Sequence, residues 1–229
     1  MPKKIVLNAE SLLHFNGNDA ATTTSDDGLG GYTWISENPA QLDTAQKEFG
    51  SASALFTGTG SFKSNNGFVF GTSDFTIDMW VRIAETGNYY QAIFGDWNSR
   101  TFLEISTPAN NYWAFNWQSP DETLTYSKIL SSPVGLNTGV FYHLAIVRYG
   151  ETINIYQDGV LKKSAAILTG IKDMAIPRVG NMDGSIFGLH GWVDEFRFVK
   201  IAKWYENFTP PTSEYNATTR SFIPSVVIT

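Results

Sequence analysis

The 229-residue chain carries 42% apolar and 17% charged residues, a formal net charge of −6 and no cysteine. Its apolar content is ample to offset the entropy of ordering, which excludes a disordered chain. The acidic balance argues against nucleic acid as a partner, since phosphates need Lys and Arg. The absence of thiols removes disulfides, zinc–thiolate sites, iron–sulfur clusters and a cysteine nucleophile together.

The length suits one large all-β domain, and the chain is read as a single unit over 1–229. Its start, Met-Pro-Lys-Lys at 1–4, is basic but lacks the apolar run of a secretory leader, so synthesis in the cytoplasm is expected. The sequence has no run of about 18 apolar residues that would span a membrane. Residues 3–7 form a first short apolar strand, 22–28 a polar loop and 35–46 a longer irregular segment.

Over 75–83 the apolar pattern has a period of two. Phe75, Ile77, Met79, Val81 and Ile83 share a face to be buried; Thr76, Asp78, Trp80 and Arg82 share an outward face, polar except for the tryptophan. Residues 111–118 alternate likewise, with Trp113, Phe115 and Trp117 opposite Tyr112, Ala114 and Asn116. Two β-branched and aromatic runs follow at 141–149 and 152–157, and Asp158-Gly159 is a dipeptide favoured in type I′ hairpin turns. Residues 191–200 form the last long strand, with Trp192, Asp194, Phe196 and Phe198 on one side. Residues 201–207 are the one expected helical turn, stopped by Pro210 and Pro211. The apolar stretch 222–229 pairs either with 3–7 or with the edge of a neighbouring subunit. Glycines fall between strands throughout, so the pattern predicts two antiparallel sheets packed face to face.

Four segments carry a family likeness: 12–17 (Leu-Leu-His-Phe-Asn-Gly) with 47–60; 70–82; 142–148 with 153–159 (Ile-Asn-Ile-Tyr-Gln-Asp-Gly); and 191–197 (Gly-Trp-Val-Asp-Glu-Phe-Arg) with 205–211. In order and spacing they resemble the laminin-G-like, concanavalin A-like jelly rolls of bacterial and phage proteins, over most of residues 11–212. The resemblance implies a β-sandwich whose motif residues are mostly framework, in a family that most often binds glycans or proteins. The ending at 205–211 is similar to copies in phage virion proteins. That implies a fibre, tail or capsid-decoration protein on the virion surface, with other virion proteins as partners. A homo-oligomer, for which a trimer fits, is part of this expectation, with 1–10 and 213–229 facing partners.

The residues offer little for catalysis. Jelly-roll glycosidases place a Glu-x-Asp-x-x-Glu cluster on one strand, which this sequence lacks. Asp194 and Glu195 are adjacent, so on a regular strand they point to opposite faces, and Asp78 stands alone on its outward face. His14, His143 and His190 sit in no catalytic motif; His143 is read as a hydrogen-bonded framework residue. A non-catalytic protein is expected.

The resemblance also implies a structural calcium between the N-terminal strand and the Asp-Glu strand, with Asn16, Asp19 and Asp194 as ligands and Asp26 and Asp27 nearby. Asn16 stands where the family often has aspartate, and the alternative is a polar turn in which Asn16 and Asp19 bond their own backbone. For recognition, Tyr89, Tyr90, Asp96, Trp97, Asn98, Arg100, Tyr112 and Trp117 group aromatic rings with an acid, an amide and an arginine. Such a surface stacks on a sugar and bonds its hydroxyls, or equally meets a protein neighbour. On a curved sheet, Trp113 or Trp117 is also expected to project from the concave face. Three readings stay open here: a recognition or assembly module, a purely structural virion subunit without a ligand, and an unrecognised carbohydrate-active enzyme.

Overall fold

A period-two pattern buries one side of each segment only when the backbone is extended and its polar groups pair with a neighbour. A computed structural model describes residues 5–85, 90–105, 112–122, 127–131, 135–184, 187–216 and 218–221. Its first strands are β1 (Ile5–Asn8), β2 (Ser11–Leu13), β3 (Thr23–Thr24), β4 (Trp34–Glu37), β5 (Gln41–Asp43), β6 (Ser53–Thr57) and β7 (Ser61–Ser64). Next come β8 (Phe75–Ile83), β9 (Gln91–Asp96), β10 (Thr101–Ile105), β11 (Trp113–Trp117), β12 (Ser127–Leu130) and β13 (Phe141–Tyr149). The last are β14 (Thr152–Gln157), β15 (Val160–Ala166), β16 (Arg178–Val179), β17 (His190–Val199) and β18 (Thr218–Ser221). A single 3₁₀ turn at Trp97–Ser99 is the only helical element among the described residues.

The first sheet runs β12-β11-β10-β9-β16-β7-β4-β3 and the second β15-β14-β13-β8-β17-β6-β5, with β2 added to β17. The pairing is antiparallel, and the two sheets form the sandwich that the pattern predicts, with the jelly-roll architecture that the resemblance implies. Between them Phe68 stacks on Phe198 at 4.5 Å, while Trp34 and Phe94 of the first sheet close on Phe196 of the second at 5.8 and 5.0 Å. The chain ends meet separately, with β1 paired to β18; residues 222–229 lie outside the described residues. The segment 35–46 is not irregular: β4 and β5 within it place one strand in each sheet. The hairpin at Asp158-Gly159 has positive φ at both residues (51° and 74°), as a type I′ turn requires.

Three expectations fail around β17. It places two residues, Glu195 and Phe196, between the pairs Asp194–Trp80 and Arg197–Asp78 where β8 places only Met79, so one residue is inserted into the ladder. Glu195 takes up the extra length at φ 53°. The alternation therefore reverses. Val193, Phe196 and Phe198 fill the core, while Trp192, Asp194 and Arg197 register with Arg82, Trp80 and Asp78 on the outside. Asp78, expected to face solvent, is fully buried there. The helical turn expected at 201–207 does not form, because the sheet competes for its polar groups. Thr76 Oγ1 donates to the Ile201 carbonyl (2.8 Å) and accepts from the Lys203 N–H (3.0 Å), and the Asn207 side chain accepts from the Leu161 N–H (2.8 Å). The segment runs over the outside of the second sheet as a strap, with Trp204 stacked on Phe208 at 3.8 Å above Ala145, Val147 and Tyr156.

Under this strap Arg197 donates to both Asp78 oxygens at 2.9 and 2.6 Å, and His143 Nε2 lies 3.3 Å from Asp78 Oδ2. His143 is thus the hydrogen-bonded framework residue expected. Burial pushes the Asp78 carboxyl up, but the Arg197 charge and the His143 hydrogen bond outweigh it and hold Asp78 well below the usual carboxylate range. Removing one partner strands the other charge without water. Asp78→Ala is expected to lower stability by about 3–5 kcal/mol in urea denaturation; a loss below about 1 kcal/mol would mean that the pair is not closed from solvent.

Candidate functional site

The outward face of the first sheet receives, among the described residues, only short contacts from the segment around Met182 and Phe187, whose carbonyls accept from the Trp97 and Ala92 N–H groups at 2.9 and 2.6 Å. Register sets its rows: Phe102 of β10 pairs with Gly95 and Asn116, and Asn116 with Lys128; Glu104 pairs with Ala92 and Ala114, and Ala114 with Leu130. Since Leu103, Ile105, Trp113, Phe115 and Trp117 lie in the core, these alternate residues must face outward. Phe102, Ala92 and Met182 form a small apolar cluster there, separate from the core.

One end of this face is built by the 3₁₀ turn. Asp96 caps it, accepting from the Asn98 N–H at 3.0 Å, and its other oxygen accepts from the Ala175 and Ile176 N–H groups at 2.9 and 3.2 Å. Asp96 is therefore buried, a turn-former rather than a ligand-facing acid as expected. Arg100 closes the turn in the left-handed region (φ 53°) and lays its guanidinium 3.7 Å from the Trp97 ring centre. That occupies one face of the indole. Trp97 remains 37% exposed, 5.7 Å from Phe102. Asn98 beside it is exposed.

Trp97 and Phe102 border a cavity of about 240 Å³ with Tyr90, Phe187 and Met182 on its rim and the Lys128–Glu104 ion pair (2.5 Å) at its side. Tyr90 is 51% exposed, with Lys128 Nζ 5.6 Å from its ring. The volume is below the roughly 300–1,000 Å³ of drug-sized sites, so it suits a single ring more than a chain.

Of the residues singled out for recognition, the structure gathers Tyr90 and Trp97 in the cavity, with Asn98 and Arg100 on the adjoining turn. Tyr89 lies outside the described residues. Tyr112 is partly buried at the start of β11 and does not border the cavity. Trp117 is 5% exposed and stacks on Phe115 inside the core, and Trp113 is fully buried with its Nε1 donating to Gln157 at 3.3 Å. Neither projects from a face, because the heavier side of β11 is the one the sandwich buries. Phe102, Glu104, Lys128, Met182 and Phe187 were not anticipated. Alternation in 101–105 carries a trace of Phe102 and Glu104; the others arrive from distant strands and loops.

The calcium candidates do not form a cage. Asn16 Oδ1 accepts from the Ser51 N–H (2.5 Å), Asp19 from the Thr44 N–H (3.1 Å), and Asp194 from the Glu48, Phe49 and Glu195 N–H groups (2.9, 3.1 and 3.0 Å). Oxygens that point at separate N–H donors are the opposite of oxygens converging on one cation. Asp26 is spent likewise, on Leu12, Gly28, Ser11 and Trp34. Burial, with the Glu195 charge adding to it, pushes the Asp194 carboxyl up to about 7 despite its three N–H partners. The His, Asp and Glu side chains that do converge among the described residues are His14, Glu195 and Glu214, with His14 and Glu214 in an open cleft beside Asn16 and Asp27 and Glu195 buried beneath it. There His14 Nδ1 meets Glu195 Oε1 at 2.7 Å, and the Tyr215 N–H donates to Glu195 Oε2 at 2.6 Å.

Residues 56–203 match the family described as the concanavalin A-like lectin/glucanases superfamily, of laminin G type, and the chain belongs to it. Solved structures agree on the fold. Domain 4 of a GH43 extracellular arabinanase from Geobacillus stearothermophilus, solved with arabinotriose, superposes at a TM-score of 0.65 and 15% identity over 86% of this chain and 95% of that one. The binding domain of Paraclostridial Mosquitocidal Protein 1 gives 0.63 and 16% over 85% and 49%, and the botulinum neurotoxin serotype D binding domain 0.62 and 15% over 85% and 48%. This chain thus spans about half of each toxin fragment. None of the curated protein sequences compared matches the chain.

The His14–Glu195 pair makes a pH prediction. The hydrogen bond to Glu195 raises the pKa of His14 above its ordinary 6.5, against the opposing effect of burial. A raised histidine contributes stability that is full below the unfolded value and is lost as pH climbs through the folded one. The Tm margin of the wild type over His14→Gln should be widest near about pH 5.5 and narrow by about pH 9. A margin that does not change with pH would mean the contact is not an ion pair.

Proposed function

We propose that this protein is a non-catalytic recognition module that binds a neutral glycan in the Tyr90–Trp97–Phe102 cavity. The observation that carries this reading is an outward cavity lined by aromatic rings, of which Tyr90 and Trp97 are exposed. Sugar rings present C–H faces that pack on aromatic surfaces, while their hydroxyls need a few polar partners at the edge. The cavity supplies that mixture, and its ion pair neutralises itself. The non-catalytic reading is supported by the carboxylates at hand: among the described residues Glu104 is the one acid bordering the cavity and is held by Lys128, whereas glycoside hydrolysis employs two. That a related arabinanase domain was solved with arabinotriose makes neutral oligosaccharides the first probes.

The setting we propose is the surface of a virion, supported by the likeness of 205–211 to phage virion proteins, with a homo-oligomer and other virion proteins as its context. In that setting the rigid sandwich presents the cavity and the partners hold the module in place.

A panel of neutral oligosaccharides including arabinotriose, measured by titration calorimetry, tests the reading. Tyr90→Ala and Trp97→Ala should each weaken binding by about threefold to tenfold, as expected for the loss of one stacked ring, with Tm almost unchanged because both residues are half exposed. Binding indifferent to both substitutions would move the site elsewhere. No binding across the panel would favour the purely structural subunit.

A further inference from the structure

The strand register sets Asn116 of β11 directly between Phe102 of β10 and Lys128 of β12, two residues of the cavity. Directly paired residues project to the same side of a sheet, so Asn116 belongs to the outward face. Its neighbours there are Phe102 and Ala114, which are apolar, and Lys128, whose charge is taken by Glu104. Asn116 is 1% exposed, and neither its Nδ2 nor its Oδ1 has a hydrogen-bond partner. An unsatisfied buried amide costs stability on its donor and its acceptor alike, and an apolar side chain of the same size would serve the fold better. Strand order also shows what lies across it. The Lys128–Glu104 pair joins β12 to β10, so it must cross β11, where Asn116 is paired with Lys128 and Ala114 with Glu104.

We infer that Asn116 is the residue by which this cavity selects its sugar, its amide donating to one and accepting from the other of two adjacent hydroxyls. The inference rests on the glycan reading and narrows it to neutral sugars with a vicinal diol. Two neighbouring hydroxyls offer an acceptor and a donor side by side, the pattern an amide complements. With the pair parted, Lys128 and Glu104 flank Asn116 with opposite charges, so a carboxylated sugar would meet the repulsion of Glu104 along with the attraction of Lys128. Because Asn116 is closed in the free protein, engaging it requires the Lys128–Glu104 pair to part and the sugar to take its place. A site with a buried amide rejects analogues that lack the matching hydroxyls far more strongly than an apolar site rejects a misfit methylene.

The test compares neutral and uronic-acid oligosaccharides, intact and after periodate cleavage of their vicinal diols, on the wild type, Asn116→Leu, Asn116→Ala and Trp97→Ala, with Tm recorded for each. Intact neutral oligosaccharides are expected to bind, and their cleaved forms about 100-fold more weakly. Both Asn116 variants should lose roughly tenfold or more in affinity while Asn116→Leu keeps or raises Tm, because it removes an unsatisfied amide. Asn116→Ala carries the affinity comparison if the leucine variant fails to fold. Binding that needs Trp97 but is unchanged in both Asn116 variants, or a Tm that falls while affinity stays, overturns this inference and leaves the glycan reading standing. Preference for the uronic acids, with Trp97 still required, overturns it as well. Failure of every oligosaccharide to bind removes the glycan reading and the inference with it.

Discussion

The structure turns on one extra residue in the central strand of the second sheet. Between Asp194 and Arg197, β17 spends two residues where β8 spends one, and Glu195 absorbs the difference with a left-handed backbone. In a regular strand Phe196 and Phe198 would share a side with Trp192, and Arg197 would enter the aromatic layer without a partner. With the insertion, Phe196 and Phe198 reach Phe68, Phe94 and Trp34 in the core, and Arg197 reaches Asp78 on the outside. Glu195 itself turns to His14 and to the backbone of Tyr215, which ties the segment after β2 and the end of the strap to β17. Core, buried ion pair and chain-end closure all follow from that shift of phase.

The two outer faces of the sandwich are consequently unlike. Outside the second sheet, Asp78, Arg197, His143 and Tyr215 are buried beneath residues 201–215. Lys203, on the strap, is held down to about 8 by burial, the nearby Arg197 charge adding to the effect. A ligand there would have to displace chain that is hydrogen-bonded to the sheet. Outside the first sheet, among the described residues, β9 to β12 carry Phe102, Glu104, Asn116 and Lys128 under a shorter cover, with Met182 packed on Phe102 and with Tyr90 and Trp97 exposed at the rim. The asymmetry is why the proposed recognition falls on the first sheet.

How far the sequence foretold this depends on the range of the interaction. The strands at 75–83, 141–149 and 152–157 and the Asp158-Gly159 hairpin were legible because alternation and turn chemistry are local. The insertion at Glu195 was not, since one added residue leaves the apolar pattern of 191–200 looking regular. The strap was misread as a helical turn because its partners are Thr76, Gly159 and Leu161, far away in the chain. In β11 alternation separated Trp117 from Asn116 correctly, but which side faces the sandwich depends on the other sheet. The Trp97 turn was half legible: the cluster from Asp96 to Arg100 marked the place, but the acid proved to cap the turn and the arginine to cover one face of the ring. Its partners come from β10, β12 and two loops, a set that only strand register brings together.

The fold alone does not say what such a domain binds, since its relatives superpose at 13–16% identity and share little beyond the layers. What distinguishes this chain is therefore to be sought in residues that the layers do not require. The outward row of β10, β11 and β12 is such a place. Phe102 adds nothing to the sandwich core, Lys128 and Glu104 hold each other across a strand that needs no brace, and Asn116 stays buried with its amide unused. Each of these choices costs the free protein something or gains it little. Together they set rings, a self-neutralised ion pair and an amide within one strand spacing of each other, an arrangement that acquires a physical purpose when a ring with hydroxyls lies against it.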